Sequence, residues 1–292
     1  MPYLEVQDGT ELYFNDWGSG RPVVLIHGWP VSSAMWEHQA AYLVDAGLRV
    51  ITYDRRGFGK SSHPFDGHDY DTLAGDLAEL IEALDLEDAT LVGFSMGGGE
   101  VVRYLSKFGP ERVSKAVLIS AVTPFLRKTG DNPEGVDASV FEGMQEQLAT
   151  DRFAFLSDFG PKFYGRTLLN HTVSEPVLNW MFAIGSMACP VATADDLAAF
   201  SSTDFRAEMA ELQTPFLIIH GTADVTVPID ASGRRSAKIL PNVAVIEYDG
   251  EPHGLFMTAG ERLSEDLLEF IGVPEDDEAG EYPEEPPATL AN

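Results

Sequence analysis

The residues best placed to do chemistry are Gly93-Phe94-Ser95-Met96-Gly97-Gly98-Gly99, a G-x-S-x-G pattern with a serine between glycines. An apolar run, Ala89-Thr90-Leu91-Val92, precedes it and a helical pattern over residues 100–108 follows. In that strand-turn-helix setting the motif holds a nucleophilic serine above a sheet edge. The turn is tight, and Gly93 and Gly97 remove the side chains that would strike its backbone. A serine hydroxyl is a poor nucleophile until a base takes its proton, and the base needs a third group to fix its tautomer and stabilise its charge. Around such an elbow the partners follow in the order Ser, Asp or Glu, His, each in a loop after a strand. Ser95, Asp224 and His253 keep that order.

Rivals exist for each partner. Among the seven histidines, His220 sits in a buried strand end and reads as structural. His27 opens a loop and reads as a hydrogen-bonding brace for it. His38, His63, His68 and His171 lie in polar or helical segments outside the order. Asp230 and Asp249 compete with Asp224, but only Asp224 stands just beyond a buried strand in a Gly-x-x-Asp setting. The tetrahedral oxygen also needs donors, each worth on the order of 10² to 10³ in rate. The Met96 amide supplies one. Pro30 has no amide hydrogen, so the loop after Ile26 offers the Trp29 amide as the second.

These residues need a scaffold. Pro22-Val23-Val24-Leu25-Ile26, Arg49-Val50-Ile51-Thr52-Tyr53, Lys115-Ala116-Val117-Leu118-Ile119 and Pro215-Phe216-Leu217-Ile218-Ile219 are apolar runs typical of strands buried on both faces. Ala244-Val245-Ile246-Glu247-Tyr248 reads as the last strand, and Leu4-Glu5-Val6 with Glu11-Leu12-Tyr13-Phe14 as an opening antiparallel hairpin. Helical patterns cover 35–46, 70–84, 229–240 and 261–271. The alternation predicts an α/β chain with a parallel sheet covered on both faces. It stops over 122–204, a stretch rich in Phe and Met without a buried-strand run. The expected organisation is therefore a core over 1–121 and 205–272, a helical cap over 122–204, and an acidic disordered tail over 273–292. The cap's aromatics read first as packing.

Asp and Glu number 47 against 19 Lys and Arg, a formal net charge of −28. Nucleic acid and anionic membranes would be repelled. Basic residues are mostly arginine, and this acidic, lysine-poor balance resembles proteins that work in concentrated salt; the alternative is a merely acidic mesophile protein. Cys189 is the single cysteine, so no disulfide within the chain is possible. No basic segment followed by an apolar run opens the sequence, and no stretch is long enough to span a bilayer. The expectation is a cytoplasmic protein. Neither a haem-attachment motif nor a clustered metal-ligand spacing is present.

His27-Gly28-Trp29-Pro30, Asp54-Arg55-Arg56-Gly57-Phe58-Gly59-Lys60-Ser61, Gly93 to Glu100, Ser120-Ala121-Val122-Thr123-Pro124, Thr203-Asp204-Phe205 and Pro252-His253-Gly254 together resemble the cofactor-free (non-haem) haloperoxidases of the α/β-hydrolase superfamily. These are also called perhydrolases and are similar to arylesterases; the resemblance spans roughly residues 3–272. It implies the α/β-hydrolase fold, with a mostly parallel eight-stranded sheet, helices on both faces and an inserted helical cap. It implies a reaction without cofactor or metal, in which Ser95 takes an acyl group from a small ester or carboxylic acid and passes it to hydrogen peroxide or water. Peroxide gives a peracid that oxidises halide in solution; water gives esterase activity. The resemblance further implies substrate contacts at Pro30, Val122, Phe125, Phe159, Phe163 and Thr226, and a homo-oligomer. Pro30 is associated with the perhydrolase side, its ring setting the Trp29 carbonyl to accept a hydrogen bond from peroxide. Related dehalogenases and epoxide hydrolases need an aspartate at the elbow, where this chain has Ser95. Plain carboxylesterase, lactonase and a non-catalytic small-ligand-binding protein of the same fold remain as alternatives.

Overall fold

Among the described residues, eight strands form one sheet in the order β1-β2-β4-β3-β5-β6-β7-β8. They are β1 Tyr3–Glu5, β2 Glu11–Trp17, β3 Pro22–Ile26, β4 Arg49–Tyr53, β5 Ala89–Phe94, β6 Val113–Ile119, β7 Phe216–Gly221 and β8 Val243–Tyr248. The computed structural model describes residues 2–272, and the expected acidic tail over 273–292 lies outside the described residues. β1 pairs antiparallel with β2 and β2 with β4; every other pairing is parallel. Each position of β3, β5 and β7 is buried, which is why these strands read as continuous apolar runs rather than alternating ones. β8 closes one edge with mostly exposed or half-buried positions.

Helices α1 Glu37–Asp45 and α10 Gly260–Ile271 pack together. A second group holds α2 Tyr70–Ala83 and α3 Met96–Phe108, with α7 Arg206–Glu211 and α8 Gly233–Ile239 beside them. In α2 the stripe Leu73, Leu77, Leu80 and Ile81 is buried, and the Asp69 carboxylate caps the helix by accepting from the Asp71 and Thr72 amides. Two helical patterns start differently from the sequence reading. A 3-10 turn over Ser33–Trp36 precedes α1, and another over Ile229–Ala231 precedes α8. The closing helix follows a single turn, α9 Leu255–Thr258.

Between β6 and β7 the chain forms α4 Ala138–Phe163, α5 Glu175–Met187 and α6 Pro190–Ser202 ahead of α7. α4 breaks at Asp151, which leaves the helical region at φ −154° and ψ 88°. Its carboxylate then accepts from the Ala154 amide at 2.9 Å and restarts the helix. α6 is pinned to the sheet end. The Cys189 amide donates to the Gly57 carbonyl at 2.7 Å, and Trp29 Nε1 donates to the Thr193 carbonyl at 3.0 Å. Gly57 adopts φ 82°, and a Cβ there would strike Ala192. Among the described residues no single helix is long and apolar enough to cross a membrane.

Candidate active site

Ser95 occupies the turn between β5 and α3 at φ 54° and ψ −117°. A residue with a side chain is strained there, and the surroundings hold it. The Ser95 amide donates to the Ile119 carbonyl at 2.8 Å, and its own carbonyl accepts from Val122 at 3.2 Å. A Cβ on Gly97 would lie 2.7 Å from the Ile26 carbonyl oxygen and 2.9 Å from that of His27; one on Gly93 would lie 2.6 Å from the Gly97 carbonyl carbon. Only glycines let β3 and the elbow approach so closely.

The loop after β8 carries His253, whose ring rests against Phe94 and Phe163 with centroids 4.9 and 4.8 Å away. Its Nδ1 is 2.6 Å from Asp224 Oδ2 and its Nε2 is 3.0 Å from Ser95 Oγ. The carboxylate accepts the Nδ1 proton, leaving Nε2 free to accept the serine proton. All three side chains are buried. Asp224, in the loop after β7, also accepts through Oδ1 from the Thr226 and Val227 amides at 2.9 and 2.8 Å. Burial pushes its carboxyl up, but the attraction of His253 and hydrogen bonds from His220 and His253 outweigh this and hold it below the usual carboxylate range. His220 Nε2 lies 3.3 Å from Asp224 Oδ2 and 2.9 Å from the Val227 carbonyl, bracing the loop. The competing carboxylates face elsewhere: Asp230 pairs with Arg234, and Asp249 accepts from Thr222.

The Trp29 and Met96 amides donate to no carbonyl among the described residues. Met96 opens α3, so its N–H is one of the helix's unsatisfied N-terminal donors. The Trp29 loop is braced from below. His27 donates through Nδ1 to the Gly28 carbonyl at 2.8 Å and accepts at Nε2 from the Arg55 amide at 2.9 Å. Burial and the neighbouring Arg55 charge hold His27 well below the ordinary histidine value, so it stays neutral. The Arg55 guanidinium donates to the His27 carbonyl at 2.8 Å and pairs with the fully buried Glu100, which also accepts from Tyr53 Oη at 2.7 Å. Sequence reasoning assigned no role to Arg55 or Glu100. The signal for Glu100 was an acid set directly after three glycines and before two valines; Arg55, between Asp54 and Arg56, carried none of that kind.

A cavity of about 380 Å³ opens onto Ser95 and His253. Trp29, Val122, Phe159 and Thr226 line it; Pro30, Phe125 and Phe163 stand outside the lining. Phe163 is fully buried behind His253, Phe125 lies under the Arg206 guanidinium 5.3 Å from its ring centre, and Pro30 faces Gly185 of α5. The lining also takes in Phe141, Met144, Phe155, Phe200 and Lys162, which sequence reasoning did not place there. Their contribution depends on the rotation of α4 and α6, and that is set by packing.

Residues 21–260 match the family described as alpha/beta hydrolase fold. A bifunctional esterase/perhydrolase from Acinetobacter calcoaceticus is 43% identical over 276 residues, covering 93% of this chain and 99% of that protein. A non-haem chloroperoxidase from Streptomyces lividans is 42% identical over 275 residues, covering 93% and 99%. The crystal structure of a bromoperoxidase from Bacillus anthracis superposes with a TM-score of 0.87 at 47% identity, covering 91% of this chain and 96% of that one. The chain therefore belongs to the α/β-hydrolase family and, within it, to the group of non-haem chloroperoxidases and esterase/perhydrolases.

Proposed function

We propose that the protein is a serine hydrolase that transfers small acyl groups through an acyl-enzyme, to water as an esterase and to hydrogen peroxide as a perhydrolase. The observation that carries this is the continuous relay from Asp224 Oδ2 through His253 to Ser95 Oγ, at 2.6 and 3.0 Å. Ser95 Oγ attacks the ester carbonyl while His253 Nε2 takes its proton. The tetrahedral oxyanion accepts from the Trp29 and Met96 amides, and Asp224 stabilises the imidazolium. Collapse expels the alcohol with the proton from His253 and leaves Ser95 acylated. Water or hydrogen peroxide, deprotonated by His253, then releases acid or peracid. A peracid oxidises halide away from the enzyme, so the protein itself handles only acyl and proton transfer.

The helices α4 to α6 act in this proposal as the cap that walls the acyl site, supported by the lining residues they supply. Pro30 acts from outside the cavity, through the Trp29 carbonyl it follows. Cytoplasmic residence is supported by a chain whose one cysteine is unpaired. A homo-oligomer is part of the proposal only through the resemblance to relatives. One assay tests the chemistry: a short aryl ester with and without hydrogen peroxide, for the parent, Ser95→Ala and Pro30→Leu. Expected is ester cleavage that falls at least about 10⁴-fold in Ser95→Ala, with peracid formed only when peroxide is present. Cleavage without peracid restricts the function to esterase. Binding without turnover, even at high enzyme concentration, favours the ligand-binding alternative. A peracid-to-acid ratio unchanged in Pro30→Leu removes Pro30 from the proposal.

A further inference from the structure

Among the described residues, 18 line the cavity that opens onto Ser95; one of them is a cation, Lys162, and none is a carboxylate. The chain as a whole carries 47 Asp and Glu against 19 Lys and Arg. A lining drawn from such a composition would hold acids before it held a base. Here the acids are excluded and a scarce lysine, one of six, is kept.

The Lys162 ammonium makes no hydrogen bond or ion pair with another group among the described residues, although the residue's backbone carbonyl accepts from the Gly165 amide. Arg49, Arg56, Arg103, Arg206 and Arg234 all pair with carboxylates. Its placement on α4 is also ordered. Phe155, Phe159 and Lys162 follow at i, i+4 and i+7, which puts them along one face of the second half of the helix. The two aromatics are buried and stack on each other with centroids 5.6 Å apart, while Lys162 is exposed. The apolar wall beside Ser95 thus ends in an exposed lysine at the cavity mouth, a place where a long cationic side chain can lay its stem on apolar surface and keep its charge in water.

The geometry points to a substrate that is itself an anion: an ester or acid whose acyl chain carries a second carboxylate at its far end, held by Lys162 while the near carbonyl meets Ser95. Half-esters of linear dicarboxylic acids are the simplest members of this class. The inference rests on the acyl-transfer reading of the same site and adds the charge of the acyl chain. Lys162 is a specificity residue in it, and it touches the end of the substrate that does not react. The pair forms at an exposed site, so added salt weakens it and the comparison is made at one salt concentration.

The competing explanation is structural. Lys162 lies in the last turn of α4, where a cation favours the helix dipole. The two are separated by comparing monomethyl with dimethyl esters of the same diacids, from succinate to suberate, at one fixed KCl concentration. The quantity read is the ratio of kcat/KM for the anionic ester to that for its neutral counterpart. In the parent this ratio should exceed one and peak at one chain length. It should fall about two- to fivefold in Lys162→Met, the range expected for an ion pair at an exposed site. It should drop further in Lys162→Glu and be largely restored in Lys162→Arg. Equal losses on both esters assign Lys162 to the helix end and overturn the inference. So does a parent ratio at or below one with Ser95-dependent turnover intact, which leaves the acyl-transfer reading standing. Absence of Ser95-dependent turnover of either ester removes that reading, and this one with it.

Discussion

At Ser95 the backbone carries a cost that its side chain needs. A residue with a Cβ held near φ 54° and ψ −117° stores on the order of 1–3 kcal/mol of strain. Glycine would relieve it, against an unfolded-state entropy loss of roughly 0.4–1 kcal/mol relative to alanine. Ser95→Ala and Ser95→Gly both delete Oγ and both leave His253 Nε2 unpaired, so their difference isolates the backbone. Ser95→Gly is expected to be the more stable of the two by about 0.5–2 kcal/mol, measured as the difference in urea midpoints at equal slope. At an unstrained position the order reverses, and finding alanine the more stable here would mean the turn is not strained. The identity and order of Ser95, Asp224 and His253 could be read from the sequence because each stands at a strand end with its own punctuation. The directions of Phe163 and Lys162 could not. They are neighbours on α4, one packed behind His253 and the other at the cavity mouth, and the break at Asp151 resets the helix rotation that decides between them.

At the scale of elements, the contact between α6 and the sheet end is where sequence reading stops. The buried strands announce themselves as apolar runs, but nothing local says that Gly57 must meet Ala192, or that Trp29 Nε1 needs the Thr193 carbonyl. The same docking buries Asp196 completely, with neither carboxylate oxygen hydrogen-bonded to a described group and His68 Nδ1 4.0 Å away. Burial raises its carboxyl well above the ordinary value; Arg55 opposes this, and Glu100 and Asp195 add to it. The sign follows from linkage. The unfolded chain releases this proton near pH 3.9, whereas the folded chain keeps it to a higher pH. Between those values the folded state binds more protons, so Asp196 makes stability fall as pH rises. Asp196→Asn removes that slope. Its stability relative to the parent should therefore improve as pH is raised above the unfolded carboxylate's value, until the folded carboxyl ionises, in thermal or urea unfolding. Curves that stay parallel over that interval would show Asp196 ionised in both states.

Over the whole molecule, a formal charge of −28 acts on stability in a way that no single contact describes. Its total could be counted from the sequence, but its distribution required the fold, which among the described residues keeps acids out of the cavity lining and leaves many of them on the surface. Screening shortens from roughly 10 Å at 0.1 M salt to roughly 3 Å at 1 M, so added KCl weakens repulsion among carboxylates several residues apart. It also weakens exposed pairs such as Arg234 with Asp230 and Arg206 with Asp131, but each of these is worth only about 0–1 kcal/mol. Contacts such as His253 to Asp224 at 2.6 Å are buried and little affected. Repulsion therefore outweighs the lost pairs, and KCl is expected to raise the unfolding midpoint. The shape of the rise identifies its cause. Screening concentrates the gain below about 1 M, where the screening length changes most. Exclusion of salt from the surface gives a gain that continues in proportion to concentration. A chain adapted to concentrated salt by its charge should show the first shape, with ester turnover following the folded fraction. Greater stability in dilute buffer than in molar KCl would mean that repulsion does not govern the fold.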